Sequence, residues 1–164
     1  MQLGWFACVT GAAHGIGWLG PLVVLVTLAI HVRGQPRRAR EVALLGAVVV
    51  VGFLIDTSLL RLGLTAIAGA TDAPPWLVVL WPNFAATTTR GATLSGLGRR
   101  PLVATLLGAV CGPLAYASGV SMGAMTFPRP GNLALIVIGM VWAAFVPLAF
   151  VARARAEGTP DAER

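Results

Sequence analysis

Apolar residues fall into five long runs, at residues 3–32, 42–64, 75–97, 102–122 and 133–152, separated by short polar junctions. Four of the runs have the twenty or so residues that a helix needs to cross a hydrocarbon core. Their loops carry turn chemistry, with Asp72, Pro74 and Pro75 in one and Pro128, Pro130, Gly131 and Asn132 in the other. The first run is too long for one crossing, since a straight helix over it would measure about 45 Å against a core of about 30 Å. Gly11, Gly15, Gly17, Gly20 and Pro21 sit at its centre. They predict either one kinked span or two half-helices that enter and return on the same side. The expected fold is an all-α polytopic transmembrane bundle of about five spans. It forms a single domain over residues 1–155, with the N-terminus outside and a flexible cytoplasmic tail over residues 156–164.

Charge sets the orientation. All twelve basic residues are arginines; Arg33, Arg37, Arg38 and Arg40 fill the first junction, Arg99 and Arg100 the third, and Arg153 and Arg155 follow the last run. The second junction has no base and the fourth only Arg129. Bases in every second gap mark the cytoplasmic ends of the spans. With 57% apolar and 11% charged residues and a mean hydropathy of +0.82, the chain has too little polar surface to coat a water-soluble globule. A net charge of +6 would suit nucleic acid, but the bases lie at span ends rather than along one face. Anionic lipid headgroups are the expected partners. The N-terminus lacks a basic segment and a cleavage site, so the first run is expected to persist.

The junctions and runs also repeat. Arg37 and Arg38 followed by Leu44–Val48 recur 62 residues on as Arg99, Arg100 and Leu106–Val110, and Trp81 and Phe84 recur 61 residues on as Trp142 and Phe145. That pattern suggests a parallel hairpin repeat over residues 37–97 and 99–155, with chance matching in a small apolar alphabet as the alternative.

The candidate chemistry lies inside the runs. Asp56 is a carboxylate within the second span, where an isolated charge costs at least about 2.5 kcal/mol, so it must face protein or water. Asn83, Thr87 and Arg90 follow one another at helical spacing in the third run and form its expected polar partner face, and Tyr116 is able to hydrogen-bond into the same cluster. Two roles stay open for this cluster, a packing lock or a proton or ligand site. Arg90 either joins it or snorkels to the inner headgroups, and Arg61 snorkels outward. His14, inside the glycine cluster, is a secondary site candidate; His31 is expected at the interface. Gly108, Gly112, Gly119 and Gly123 predict a close helix–helix approach in the fourth span. Trp76 and Trp81 suit interfacial anchoring and Trp142 suits packing. Cys8 and Cys111 are expected to be small buried side chains, and neither metal ligation nor a cofactor motif is evident.

Several blocks together resemble a family of small bacterial inner-membrane proteins known only as a domain of unknown function. They are Trp5, Phe6, Ala7, Cys8 and Val9 with Ala12 and Ala13, then Trp18, Leu19, Gly20 and Pro21. Gly52, Asp56 and Gly63 follow, with Leu80, Trp81, Phe84 and Ala85, and then the ordered Gly112, Pro113, Leu114, Ala115 and Tyr116 with Gly119, Gly123 and Ala124. The resemblance spans nearly the whole chain. It implies a polytopic helical protein often encoded near cyclopropane-fatty-acid-synthase-like methyltransferases and flavin-dependent oxidases, hence a place in membrane acyl-chain modification. The chain departs from the family near Thr89 and Arg90, where members tend to show an Asn-His pair. The function expected is a non-enzymatic lipid-contacting or scaffold accessory that works beside a lipid-modifying enzyme in the bacterial inner membrane. A small proton-coupled transporter or transporter subunit is the alternative.

Overall fold

The computed structural model describes residues 2–89 and 94–157. Among these every long element is a helix, in the order α1 (Gln2–Ala13), α2 (Leu19–Arg33), α3 (Arg38–Arg61), α4 (Pro75–Val78), α5 (Leu80–Ala85), α6 (Pro101–Ser121) and α7 (Gly131–Glu157). Among the described residues, only α3, α6 and α7 are long and apolar enough to cross a membrane. Their outward faces carry Leu54, Leu106, Met140 and Leu148, all exposed. Such surface suits lipid tails as solvent.

The first run is not one kinked span. It folds back on itself as α1 and α2, about 18 and 22 Å long, each shorter than a hydrocarbon core. A Cβ at Gly20 would stand 2.3 Å from Cys8 Cα, and one at Gly4 would stand 2.9 Å from Val24 Cγ2, so the two helices run antiparallel in direct backbone contact. Gly15, at φ 74°, makes the turn. Gln2 therefore lies toward the same end of the molecule as Arg33. That overturns the expected N-terminus on the opposite side and selects the half-helix alternative.

The third run also departs from one continuous helix. Pro75 opens α4 and Pro82 lies inside α5, and the chain then tightens into a 3₁₀ turn at Ala86–Thr88, with another at Ser95–Arg99. Pro82 lacks the N–H that a regular helix would use, while the Thr87 and Thr88 hydroxyls donate back to the carbonyls of Phe84 (2.6 Å) and Ala85 (2.7 Å). These local bonds compete with the helical ladder. The segment still runs antiparallel to α3. Ala73 N donates to Thr57 Oγ1 near one end of α3, and Thr88 reaches the cluster that holds Glu41 at the other. It covers about 24 Å of the bundle's depth. The structure is thus a hairpin of half-helices, three long helices and one broken segment, in place of about five regular spans.

The ends of α3 and α6 match each other. Leu62 N bonds Ser58 O, Gly63 N bonds Leu60 O and Leu64 N bonds Leu59 O; sixty residues on, Met122 N bonds Ser118 O, Gly123 N bonds Val120 O and Ala124 N bonds Gly119 O. Gly63 and Gly123 both take positive φ, 66° and 83°, as a helix-terminating residue does. The two loops then join at an antiparallel bridge between Ala66 and Thr126. This register of sixty residues lies close to the 61–62-residue spacing of the sequence matches.

Gly108 and Gly112 pack as expected: an added Cβ would meet Trp142 O and Trp142 Cγ, each at 2.3 Å. Gly119 and Gly123 do not. Gly119 leaves ordinary van der Waals room against Met125 and Gly123 faces open space, its role being the turn. Other expectations fail because tertiary neighbours take over. Trp76 and Trp81 are buried core residues rather than interfacial anchors. Cys111 is exposed while Cys8 is buried. Arg61, exposed at the end of α3, pairs with Asp72 at 2.6 Å. The tail beyond Glu157 lies outside the described residues.

Candidate functional site

Asp56 is the centre of the polar core. It projects from the buried stripe Glu41, Leu45, Val48, Gly52, Asp56 and Leu59 of α3 and is only 1% exposed. Trp81 Nε1 of α5 donates to its Oδ2 at 2.7 Å, and the Tyr116 hydroxyl of α6 donates to its Oδ1. Both carboxylate oxygens are thereby engaged, so three separate elements are held by one side chain. The indole comes close because residue 52 is glycine: a Cβ there would sit 2.1 Å from Trp81 Cγ. Trp81 stacks on Trp142 with centroids 5.0 Å apart, and Phe145 and Phe84 close the aromatic box edge-on against Trp81 and Trp142 respectively.

Of the expected partners, Tyr116 bonds Asp56. Asn83 is buried elsewhere, against Gly4 of α1, and the Thr87 hydroxyl is used by its own turn. The one-helix spacing that would have aimed both at Asp56 is lost when the segment breaks. Arg90 lies outside the described residues. His14 is exposed at the α1–α2 turn with Nδ1 2.9 Å from Thr10 O, and its bonding is to its own helix rather than to Asp56. Among the described residues no three His, Cys, Asp or Glu side chains converge as a metal site would require.

Asn83, Thr87 and Tyr116 do share one feature: all line a cavity of about 540 Å³ between α1 and α6. Trp5, Phe6 and Val9 of α1 form one wall and Leu107 through Gly119 of α6 the other, with Trp81, Phe84 and Trp142 beneath. The α6 wall is about 18 Å long. The volume falls within the range of small-molecule sites, and its lining is dominated by apolar and aromatic side chains.

A second polar cluster lies at the arginine-rich end. Arg153 of α7, 3% exposed, reaches Glu41 Oε2 through Nη1, the Ala85 carbonyl at 3.0 Å through Nη2 and Thr88 Oγ1 at 3.3 Å through Nε. His31 Nε2 stands 2.9 Å from Glu41 Oε1, with Thr89 Oγ1 at 3.5 Å from the same nitrogen. The guanidinium thus ties α7 to α3 and to the broken segment, and Glu41 ties in α2. Sequence reasoning treated Arg153 as a rim charge and His31 as interfacial and overlooked Glu41. A signal was present, since Glu41 precedes Leu45 at helical spacing and Arg153 continues the stripe of Val146, Ala149 and Phe150.

The chain belongs to the family described as "Protein of unknown function (DUF2878)", whose model matches residues 1–148. No match is found among curated proteins or among solved structures.

Proposed function

We propose, for this member of a family of unknown function, that it is a membrane-embedded accessory which does no chemistry itself but holds a lipid acyl chain in the groove between α1 and α6, beside a lipid-modifying partner. The single supporting observation is that groove of about 540 Å³, walled mostly by apolar and aromatic side chains. Its floor is braced by the Asp56 lock. In this reading the protein resides in the bacterial inner membrane with its arginine-rich end and C-terminus in the cytoplasm. Among the described residues no nucleophile is seen beside a general base in the groove, and Asp56, the carboxylate bonded to its lining residues Trp81 and Tyr116, has both oxygens engaged. Binding without catalysis is the role that such a lining supports.

The test is lipid analysis of a deletion strain complemented with wild-type protein or with Leu107→Trp, which fills the groove. Loss of the gene should shift the membrane acyl-chain profile, wild type should restore it and Leu107→Trp should not. Full restoration by a folded Leu107→Trp protein would refute the reading.

A second reading is a small proton-coupled transporter or a subunit of one. It is favoured by the half-helix hairpin and the broken segment, since discontinuous helices build many transporter sites. Proton-linked solute flux in vesicles containing the purified protein would support it; absence of flux across a solute panel would oppose it.

A further inference from the structure

We infer that the groove takes an anionic phospholipid from the leaflet on the arginine-rich side, one acyl chain lying between α1 and α6 and the phosphate at Arg99 and Arg100; this rests on the lipid-holding reading above. The groove differs from end to end. Gln2, Leu94 and Leu97 line one end, and Trp76, Ser118 and Met125 line the other. Gln2 lies toward the same end of the molecule as Arg33, whereas Trp76 Cδ1 is 4.0 Å from the place of a Cβ on Gly17, beside the α1–α2 turn. Gly98 is likewise at the arginine-rich end, since a Cβ there would be 3.4 Å from Phe150 Cδ1, near Arg153 on α7.

Two bases stand where the path begins. Arg100 N donates to the carbonyl of Leu97, a lining residue, at 2.9 Å, and the Arg100 carbonyl accepts from Ala104 N at 2.9 Å. Arg100 is therefore tied to the last turn of the lining and continues the backbone ladder of α6. At 3.6 residues per turn it falls within about 40° of Leu107, Cys111 and Leu114 around the helix axis. Those three both line the groove and are exposed, so they form its lip. Arg99 and Arg100 are also exposed and have no ion-pair partner among the described residues. Other bases are spent: Arg153 on Glu41 at the same end, and Arg61 on Asp72 at the opposite one.

Charge complementarity then names the occupant. Lipid tails are as apolar as the groove, so the chain alone gains only packing by entering it. The head decides which lipid is held. A basic residue near an anionic bilayer surface is worth about fivefold in binding, hence about thirtyfold for two. A zwitterionic head carries its own cation and answers that pair less well. The exposed lip suits a lipid of two chains, because one lies inside the groove while the other remains in the bilayer beyond Leu107 and Leu114.

The experiment offers purified protein in detergent an equimolar mixture of phosphatidylglycerol and phosphatidylcholine with matched chains, and reads the retained lipid by native mass spectrometry. Wild type should retain phosphatidylglycerol over phosphatidylcholine by about thirtyfold. Arg99→Gln with Arg100→Gln should bring the ratio toward one. Arg38→Gln with Arg40→Gln, which removes two exposed bases elsewhere at the same end, should leave it unchanged, and Leu107→Trp should abolish retention. All of these positions are exposed, and unchanged thermal unfolding shows that each variant is folded. No preference in wild type, a preference that survives in Arg99→Gln with Arg100→Gln, or one that falls equally in both double variants would overturn the inference; the groove reading stands in those cases if Leu107→Trp still abolishes retention. Undiminished retention by folded Leu107→Trp would remove the groove reading itself.

Discussion

Trp81 and Trp142 lie on each other in the middle of the bundle, their planes 19° from parallel. They stand 61 residues apart in the chain. Each is pressed against a glycine of the helix before it, Gly52 and Gly112. The stack is where the two helical hairpins meet. The polar lock forms beside it because Trp81 turns its N–H toward Asp56.

Removing the carboxylate should unfasten this junction. Asp56→Ala orphans the Trp81 N–H and the Tyr116 hydroxyl, at about 1–3 kcal/mol each. Asp56→Asn retains one acceptor and should lose roughly half as much. Thermal unfolding in detergent should rank the proteins wild type, Asn, Ala; an Ala variant as stable as wild type would contradict the lock.

Glycines that touch indoles should differ from glycines that face lipid. Gly52→Ala and Gly112→Ala place a methyl group within 2.3 Å of ring carbons and should cost about 1–3 kcal/mol or more through overpacking. Gly46 has nothing within 4 Å of an added Cβ, so Gly46→Ala should stabilise α3 by about 0.5–1 kcal/mol. The same unfolding assay checks the sign of each change.

Arg153 and Glu41 should be coupled. Glu41→Leu strands the buried Arg153 guanidinium, at about 3–5 kcal/mol, and Arg153→Met, which leaves Glu41 with His31 alone, should cost less, whereas the double substitution should recover much of the loss. Arg155, exposed on the same helix, should tolerate Arg155→Gln with little effect. A double-mutant cycle giving no coupling energy would show that the pair does not form.

Ala66 and Thr126 exchange both backbone hydrogen bonds, at 2.9 and 2.8 Å. Residues paired in this way have Cα atoms about 5.5 Å apart, within disulfide range. In a background with Cys8 and Cys111 replaced by serine, Ala66→Cys with Thr126→Cys should oxidise to a cross-link between the two loops, detected as a joined peptide after proteolysis. Failure to cross-link in membranes under oxidant would break the matched register of the hairpins.

The polar core was partly legible in the residues. Asp56 stands out because a carboxylate amid Val and Leu requires a partner, and Tyr116 is one of few hydroxyl-bearing side chains within reach. Trp81 escaped notice as the donor because indole is mostly apolar, and hydropathy places it at an interface. Asn83 and Thr87 were placed on the Asp56 face by assuming a regular helix, and Pro82 with its neighbouring threonines breaks that spacing. Glu41 and Arg153 were hidden by their neighbours, since charges beside a span end usually sit in headgroups.

The linear pattern determined what is set one residue at a time or by its near neighbours: which stretches avoid water, where glycine and proline interrupt them, and how the arginines divide the junctions. Those follow from transfer energies and local backbone sterics, which do not depend on the rest of the chain. The choice between a kinked first span and the return of α1 on α2, the partner chosen by each buried polar group and the groove between α1 and α6 were decided by tertiary structure. Within lipid all apolar faces are nearly equivalent, so shape and the few hydrogen bonds between helices select the arrangement, and neither is written in hydropathy.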